Sequence, residues 1–384
     1  MPPGEGTEST AQPEREFPHV MLREIHEQPR ALAETMEGAV RGGTVRLEAL
    51  ARVEPALRRC ERLVIAASGS SRNAGLAGEI MIEELSGLAV DVEYASEYCD
   101  RSTGTEPGTV VMVISQSGET ADALAALAEA RSRGAETVGL TNAAESPLAR
   151  QAGATLLTRA TPELAVPATK SFTTQLCVLQ MFALAVARLR GRPQTEAARR
   201  HVEEIGRVPE LMQASLDGWN AAALEAARRF HRAESFLFIG RGVHYAIARE
   251  GALKLKEISY TPAEGFPAGE LLHGPNALVG ATSVVVALAA CDARDPASVR
   301  RRQKTLEVVR YVKRHGGRAV VIASAGDSEA LAAGDAPIEV PLLPELLLPL
   351  AEVVPLQLFA YHVGVLCGCD VDHPRNLVKA VTRN

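Results

Sequence analysis

The chain has 384 residues, 46% of them apolar but only 4% aromatic, and a formal net charge of −6 at neutral pH. That length accommodates two domains with separate cores, and the acidic balance argues against nucleic acid or an anionic membrane as a main partner. An anionic ligand would therefore need a local site built for it.

The first twenty residues, rich in Pro, Gly, Glu and Thr, read as a disordered tail without a secretory signal. Met21 to about Val53 has apolar residues at three- and four-residue steps and is predicted helical. Arg62–Ala67 is the first strand; Ser68-Gly69-Ser70-Ser71 follows, then a helix from about Asn73 to Leu85. Further strands are expected at Val90–Ala95, Thr109–Ile114, Glu136–Leu140 and Ala154–Thr158, and a long apolar helix at Phe172–Leu189 closes this half. After a charged connection through Arg207, itself helical by pattern, come a helix at about Ala221–Arg232 and strands at Ser235–Ile239, Ser283–Ala289, Arg318–Ser324 and Ile338–Val340. Between these strands, Tyr245–Ile258 and Ala297–His315 read as helices. Leu342–Cys369 is very apolar, yet Pro344, Glu345, Pro349, Glu352 and Pro355 favour a buried core helix over a membrane span.

Strands alternating with helices predict an α/β fold of doubly wound parallel sheets covered on both faces. Leu63–Gly69 and Phe236–Gly242 occupy matching places, so two copies of one unit are expected. The expected divisions are a tail over 1–20, a first domain over 21–200, a second over 201–368 and a C-terminal tail over 369–384. The six cysteines have no zinc-like spacing and read as reduced thiols of a cytoplasmic protein. Neither a metal nor an organic cofactor is expected.

Two stretches carry chemistry. Val110–Ile114 is a buried-strand pattern that stops at Ser115-Gln116-Ser117-Gly118-Glu119-Thr120, where a helix begins. A helix N-terminus with such side chains suits a phosphate, because its first N–H groups lack intrahelical partners and the helix dipole adds positive charge. Ser117 or Thr120 could equally be a simple cap. The pattern lacks the Gly-Lys-Ser/Thr of a nucleotide loop and the G-x-G-x-x-G of a dinucleotide turn, so a phosphorylated small molecule is expected. In the second stretch Glu250, Lys254 and Glu257 share one helical stripe. They read either as a solvated ion-pair ladder or as a base, Glu257, with Lys254 to stabilise an enolate oxygen. His273 before Gly274-Pro275 could move protons near neutral pH or be an idle surface histidine, and the tail lysine Lys379 is either solvated or a Schiff-base former.

Six segments taken together are similar to the isomerase half of glucosamine-6-phosphate synthase, in the same order from Met21 to the end. They are Met21–Pro29, Ile114–Asp122, Thr169–Gln175, Glu250–Tyr260, Ala268–Pro275 and Asp372–Lys379. The resemblance implies two tandem sugar-isomerase (SIS) domains, each a three-layer αβα unit with a parallel sheet, in a homodimer whose sites are completed across subunits. It implies that Ser115, Gln116, Ser117 and Thr120 hold the sugar phosphate while Ser71 and the Val166 backbone contact the sugar. It further implies that Glu257 shuttles the C1–C2 proton assisted by Lys254, that His273 opens the ring from the partner subunit, and that Lys379 forms the Schiff base with Val378 beside it. Ala168 stands where the family motif has serine, so one sugar-hydroxyl contact is missing or replaced.

The synthase also has a glutaminase part with an N-terminal cysteine nucleophile, whereas here residue 2 is Pro2 and the first cysteine is Cys60. The expectation from sequence is thus a deaminase, converting glucosamine 6-phosphate and water to fructose 6-phosphate and ammonia. The alternatives are a glutaminase-less synthase isomerase subunit, a fructosamine-6-phosphate deglycase, another phosphosugar isomerase, or a non-catalytic phosphosugar sensor. A sensor would not need Glu257, His273 and Lys379 together.

Overall fold

The computed structural model describes residues 16–101, 108–192 and 196–382. A small antiparallel hairpin pairs β1 (Val40–Arg41) with β2 (Thr44–Val45). The first large sheet contains β3 (Arg62–Ala67), β4 (Ala89–Tyr94), β5 (Thr109–Ile114), β6 (Glu136–Thr141) and β7 (Ala154–Leu157), in the spatial order β4-β3-β5-β6-β7. The second contains β8 (Ser235–Gly240), β9 (Ala263–Pro267), β10 (Ser283–Leu288), β11 (Arg318–Ser324) and β12 (Ala336–Val340), in the order β12-β11-β10-β8-β9. All pairs in both sheets are parallel. Counted within each half, the order is second, first, third, fourth, fifth. The halves therefore share one topology, with the order reversing between β3 and β5 and again between β8 and β10.

Strand periodicity shows how the layers are filled. Leu63, Ile65 and Ala67 of β3 face one apolar cluster while Val64 and Ala66 face another, so both faces of the sheet are covered. In β8, Phe236 and Phe238 join the first of those clusters, and Leu237 and Ile239 join a third. One central core thus runs through both halves. It also takes in Phe172, Phe182 and Phe359 from the long helices Lys170–Leu189 and Leu348–Leu366. Each such fully buried side chain contributes about 1.5–3 kcal/mol from desolvation. Helix Val243–Ser259 sits close against this core: a Cβ at Gly251 would lie 2.8 Å from Leu356 and 2.9 Å from Phe238. Two segments, Lys170–Leu189 and Glu345–Leu366, are long and apolar enough to cross a membrane, but 89% and 100% of their apolar windows are buried inside the fold.

The structure departs from the sequence reading at several places. The helix expected over Met21–Val53 is two short helices, Val20–His26 and Gln28–Met36, followed by the β1–β2 hairpin. Gly38, Gly42 and Gly43 take positive φ there, which ends helical pairing. Residues 1–15 of the expected disordered tail lie outside the described residues, but Val20, counted with that tail, is seated: its N–H donates to Asp372 at 3.0 Å. The helix expected from Ala221 begins at Val208 and runs to Phe230. Strand β9 is absent from the sequence reading; its Gly265 and Pro267 disfavour a strand interior, but at the edge of a sheet proline is tolerated.

In the second half, the helix start after β8 is closed over by ion pairs. His244 is bonded through Nδ1 to Glu352 at 2.8 Å and through Nε2 to Glu345 at 3.3 Å, and Arg301 Nε donates to Glu345 at 2.7 Å. Burial alone would lower the His244 pKa, but the two carboxylates outweigh it and push it up to about 10. Folding therefore favours the protonated imidazole, and this contribution is complete below the unfolded value near 6.5 and is lost as pH rises through about 10. Thermal denaturation between pH 6 and 10 should show a fall in midpoint that is shallower in His244→Gln. Equal slopes in the two proteins would refute the assignment.

Candidate active site

The carboxyl ends of β3 and β5 lie side by side at the point where strand order reverses, with Ala67 in register with Ile114. Ligands of open α/β sheets bind in this crevice. After β5 the chain turns through Ser115–Thr120 into helix Ala121–Ser132. The turn requires Gly118: its φ is +66°, and a Cβ there would lie 2.1 Å from Ser146 Oγ. Ser115 Oγ accepts from the Gly118 N–H at 3.1 Å and lies 2.9 Å from Thr120 Oγ1, and Ser117 Oγ accepts from Glu119 N–H at 3.2 Å. Thr120 makes no side-chain cap to the helix, so the capping alternative does not hold for it. Its hydroxyl is instead part of a cluster rimming a cavity of about 310 Å³.

That cavity is lined by Ser71, Ser115, Gln116, Ser117, Thr120, Val166, Ala168, Lys254, Glu257, Val378 and Lys379. Of the twelve site residues named through the resemblance, only His273 is not among them. It is exposed and ends a short 3₁₀ turn, Glu270–Leu272, beyond β9. Ser71, in helix Gly69–Ser86, accepts a hydrogen bond from the buried Gln175 Nε2 at 3.1 Å.

The stripe on helix Val243–Ser259 is no solvated ladder. Glu250 and Lys254 are buried, at 0% and 1% exposure, and Glu257 at the helix end keeps a partly open side chain. Lys254 Nζ donates to Glu257 Oε2 at 2.5 Å and lies 3.5 Å from Glu250 Oε1. Glu250 reaches across to the first half, accepting from Ser70 Oγ at 2.8 Å and Asn73 Nδ2 at 2.9 Å. Burial would lower the Lys254 pKa, yet the charges of Glu257 and Glu250 hold it above its ordinary value, so it stays a cation. For Glu250 burial dominates and raises the pKa despite Lys254. A carboxylate facing the cavity beside a permanent cation can move a proton between adjacent carbons while the cation stabilises the oxygen that gains charge.

The C-terminal tail folds back to complete the wall. Val381 accepts from the first helical N–H of Ala121 at 3.1 Å, Asp372 accepts from Met21 N–H at 2.7 Å, and the Asp372 carbonyl accepts from Val166 N–H at 2.9 Å. The Arg375 guanidinium lies 4.1 Å over the Tyr260 ring. Lys379 Nζ is bonded to Glu163 at 2.6 Å and to the Ala165 carbonyl at 2.8 Å.

Glu163 was missed from sequence, although it too lines the cavity. The available signal was an acid in the apolar run Pro162–Val166: a buried carboxylate needs a partner. Glu24 was also passed over. It is fully buried under the same loop, accepting from Leu164 N–H at 2.5 Å, and burial pushes its pKa up to about 7. Among the described residues, no group of three or more His, Cys, Asp or Glu side chains could hold a metal ion.

Two parallel sheets of the same strand order, with a hydroxyl-rich turn from one and the Lys254–Glu257 pair from the other lining a shared cavity, define a two-lobed α/β protein. The chain belongs to the SIS domain family, whose model matches residues 56–185 and 229–366. It is 42% identical over 368 residues to glutamine–fructose-6-phosphate aminotransferase (isomerizing) of Gloeobacter violaceus, covering 96% of this chain and 59% of the relative. The corresponding protein of Thermus thermophilus is 41% identical, with 95% and 59% covered. The chain thus spans a little under three fifths of these relatives. Among solved structures it is similar to the C-terminal domain of glucosamine-fructose-6-phosphate aminotransferase from Francisella tularensis, with a TM-score of 0.86, 33% identity and coverage of 93% and 99%. A glucosamine-6-phosphate deaminase from Thermotoga maritima shares the fold, with a TM-score of 0.71 at 23% identity and coverage of 94% and 99%. The resemblance read from the six segments, to the isomerase half of the aminotransferase, is borne out.

Proposed function

We propose that the chain is a hexose-6-phosphate isomerase of the aminotransferase type, joining fructose 6-phosphate and ammonia to give glucosamine 6-phosphate and water. The observation that carries this reading is the single cavity in which the Ser115–Thr120 turn, the Lys254–Glu257 pair and Lys379 meet. The turn would hold the phosphate through hydroxyls and backbone N–H groups. Lys379 would condense with the C2 carbonyl of the open-chain ketose, and ammonia would displace it. Glu257 would then carry the proton from C1 to C2, with Lys254 stabilising charge on the O1 oxygen as the aldose forms. His273, outside the cavity of its own chain, would open the ring from a second copy, so the active unit is read as a homodimer.

The deaminating direction expected from sequence is the reverse of this reaction through the same groups. Its support is thinner: relatives at 40% identity or more carry the aminotransferase name, whereas the deaminase likeness, at 23%, speaks for fold alone. The test is incubation of purified protein with fructose 6-phosphate and ammonium, with glucosamine 6-phosphate alone in parallel. Glucosamine 6-phosphate from the first mixture is the expected result. Ammonia from the second with no synthesis in the first would turn the reading to the deaminase. Inertness in both, with phosphosugar still bound, would leave a sensor.

A further inference from the structure

We infer that Glu163 is a positioning residue for Lys379: its buried carboxylate fixes the tail amine at the cavity wall, where a sugar carbonyl would meet it. The inference rests on the reading of Lys379 as the imine-forming group. Glu163 is itself locked. Oε1 accepts from the N–H groups of Thr169 at 2.9 Å and Ser171 at 3.1 Å, and Oε2 accepts from Ser171 Oγ at 2.6 Å. These donors sit at the start of helix Lys170–Leu189, where N–H groups lack intrahelical partners and favour negative charge. The side chain is 1% exposed. Although burial opposes ionisation, Lys379 and these donors hold its carboxyl below the ordinary glutamate value.

Lys379 has no comparable support of its own. It lies in a tail without regular secondary structure, between Val378, which is 65% exposed, and Val381, which is 53% exposed. An ammonium has three N–H groups, and two of them are committed, to Glu163 at 2.6 Å and to the Ala165 carbonyl at 2.8 Å. One remains for the cavity that both residues line. The net condensation balances once the amine is freed: the ammonium lends one proton to water to expose its lone pair, and that proton returns to the departing oxygen. The ammonium and a ketone carbonyl give a protonated imine and one water: the C–N bonds form, both C–O bonds break, and two of the three ammonium protons leave with the oxygen. The positive charge is present on the nitrogen in the resting ammonium and again in the protonated imine, so the anchored carboxylate faces a cation at both ends of the step.

The experiment compares wild type, Glu163→Gln and Glu163→Asp as full-length chains. The first readout is acetic anhydride labelling of Lys379 without substrate, followed by mass spectrometry. The second is borohydride trapping of fructose 6-phosphate on Lys379, and the third is kcat and KM. In Glu163→Gln, labelling should rise about tenfold as the charged hydrogen bond is lost. Trapping and kcat should fall together by about tenfold or more with KM within about threefold, and Glu163→Asp should recover part of the loss. A merely structural role would not free Lys379 for labelling while sparing KM. If Glu163→Gln fails to fold, Glu163→Asp carries the same readouts: the shorter carboxylate should give intermediate labelling, and wild-type labelling would overturn the assignment. Wild-type labelling, trapping and kcat in Glu163→Gln would also overturn it. If wild type traps no adduct but labelling rises in Glu163→Gln, positioning stands and the imine reading falls. If wild type and Glu163→Gln trap equally, positioning falls and the imine reading stands.

Discussion

Glu257→Gln should lower turnover about 10³-fold while changing phosphosugar affinity by no more than about threefold, because a positioned acid–base group supplies roughly 10²–10⁴ of rate. The substitution is close to isosteric, and the amide oxygen can still accept from Lys254 Nζ, which now lies 2.5 Å from Oε2. The cation therefore keeps a partner, and the Ser115–Thr120 turn on the other half is untouched. Only the ability to take and return a proton is removed. Turnover of fructose 6-phosphate, exchange of the C1 proton with deuterated water and binding by calorimetry would separate these terms. Near-full exchange in the variant would sink Glu257 as the proton carrier and move attention to Lys254. Lost binding would instead mean that the cavity had collapsed.

What was legible in the sequence follows the range of the interactions. The Ser115–Thr120 turn could be read because its strand, glycine and helix start are contiguous, and Gly118 is needed by neighbours within the same half. The two-fold repeat was legible as an order of elements, and the shared strand order bears it out. Burial was not legible. Glu250, Lys254 and Glu257 have the spacing of a solvated ladder, and only the docking of their helix against Ser70 and Asn73 of the other half takes the first two out of water. Resemblance implied roles for Lys254 and Glu257 where periodicity left them open. Glu163 escaped both routes, since its meaning depends on Lys379 returning from 216 residues away. The long first helix failed for a local reason, three glycines whose left-handed backbone outweighs a fair apolar periodicity.

Lys254→Met should be the most destabilising single change in the site. Met fills a similar volume, but Glu250, 0% exposed, would keep its bonds to Ser70 and Asn73 and lose its cation. Removing one partner of a buried ion pair costs about 3–5 kcal/mol, which for a chain of this size is a fall in Tm of about 4–6 °C. Burial already raises the Glu250 pKa, and removing Lys254 would raise it further, so the variant can escape part of the cost by binding a proton. The sign follows from linkage. A carboxyl whose folded pKa lies above the unfolded value binds more protons when folded, so its contribution is most favourable below the unfolded value of 4.5 and is lost as pH rises through the folded one. The deficit of Lys254→Met against wild type should therefore widen from pH 5 to pH 8. Adding Glu250→Gln should recover more than half of it, because no buried charge is then left alone and Glu257, 21% exposed, can turn to water. A deficit independent of pH, with no recovery in the double variant, would mean that Lys254 supports the seam between the halves through packing of its carbon chain and not through its charge.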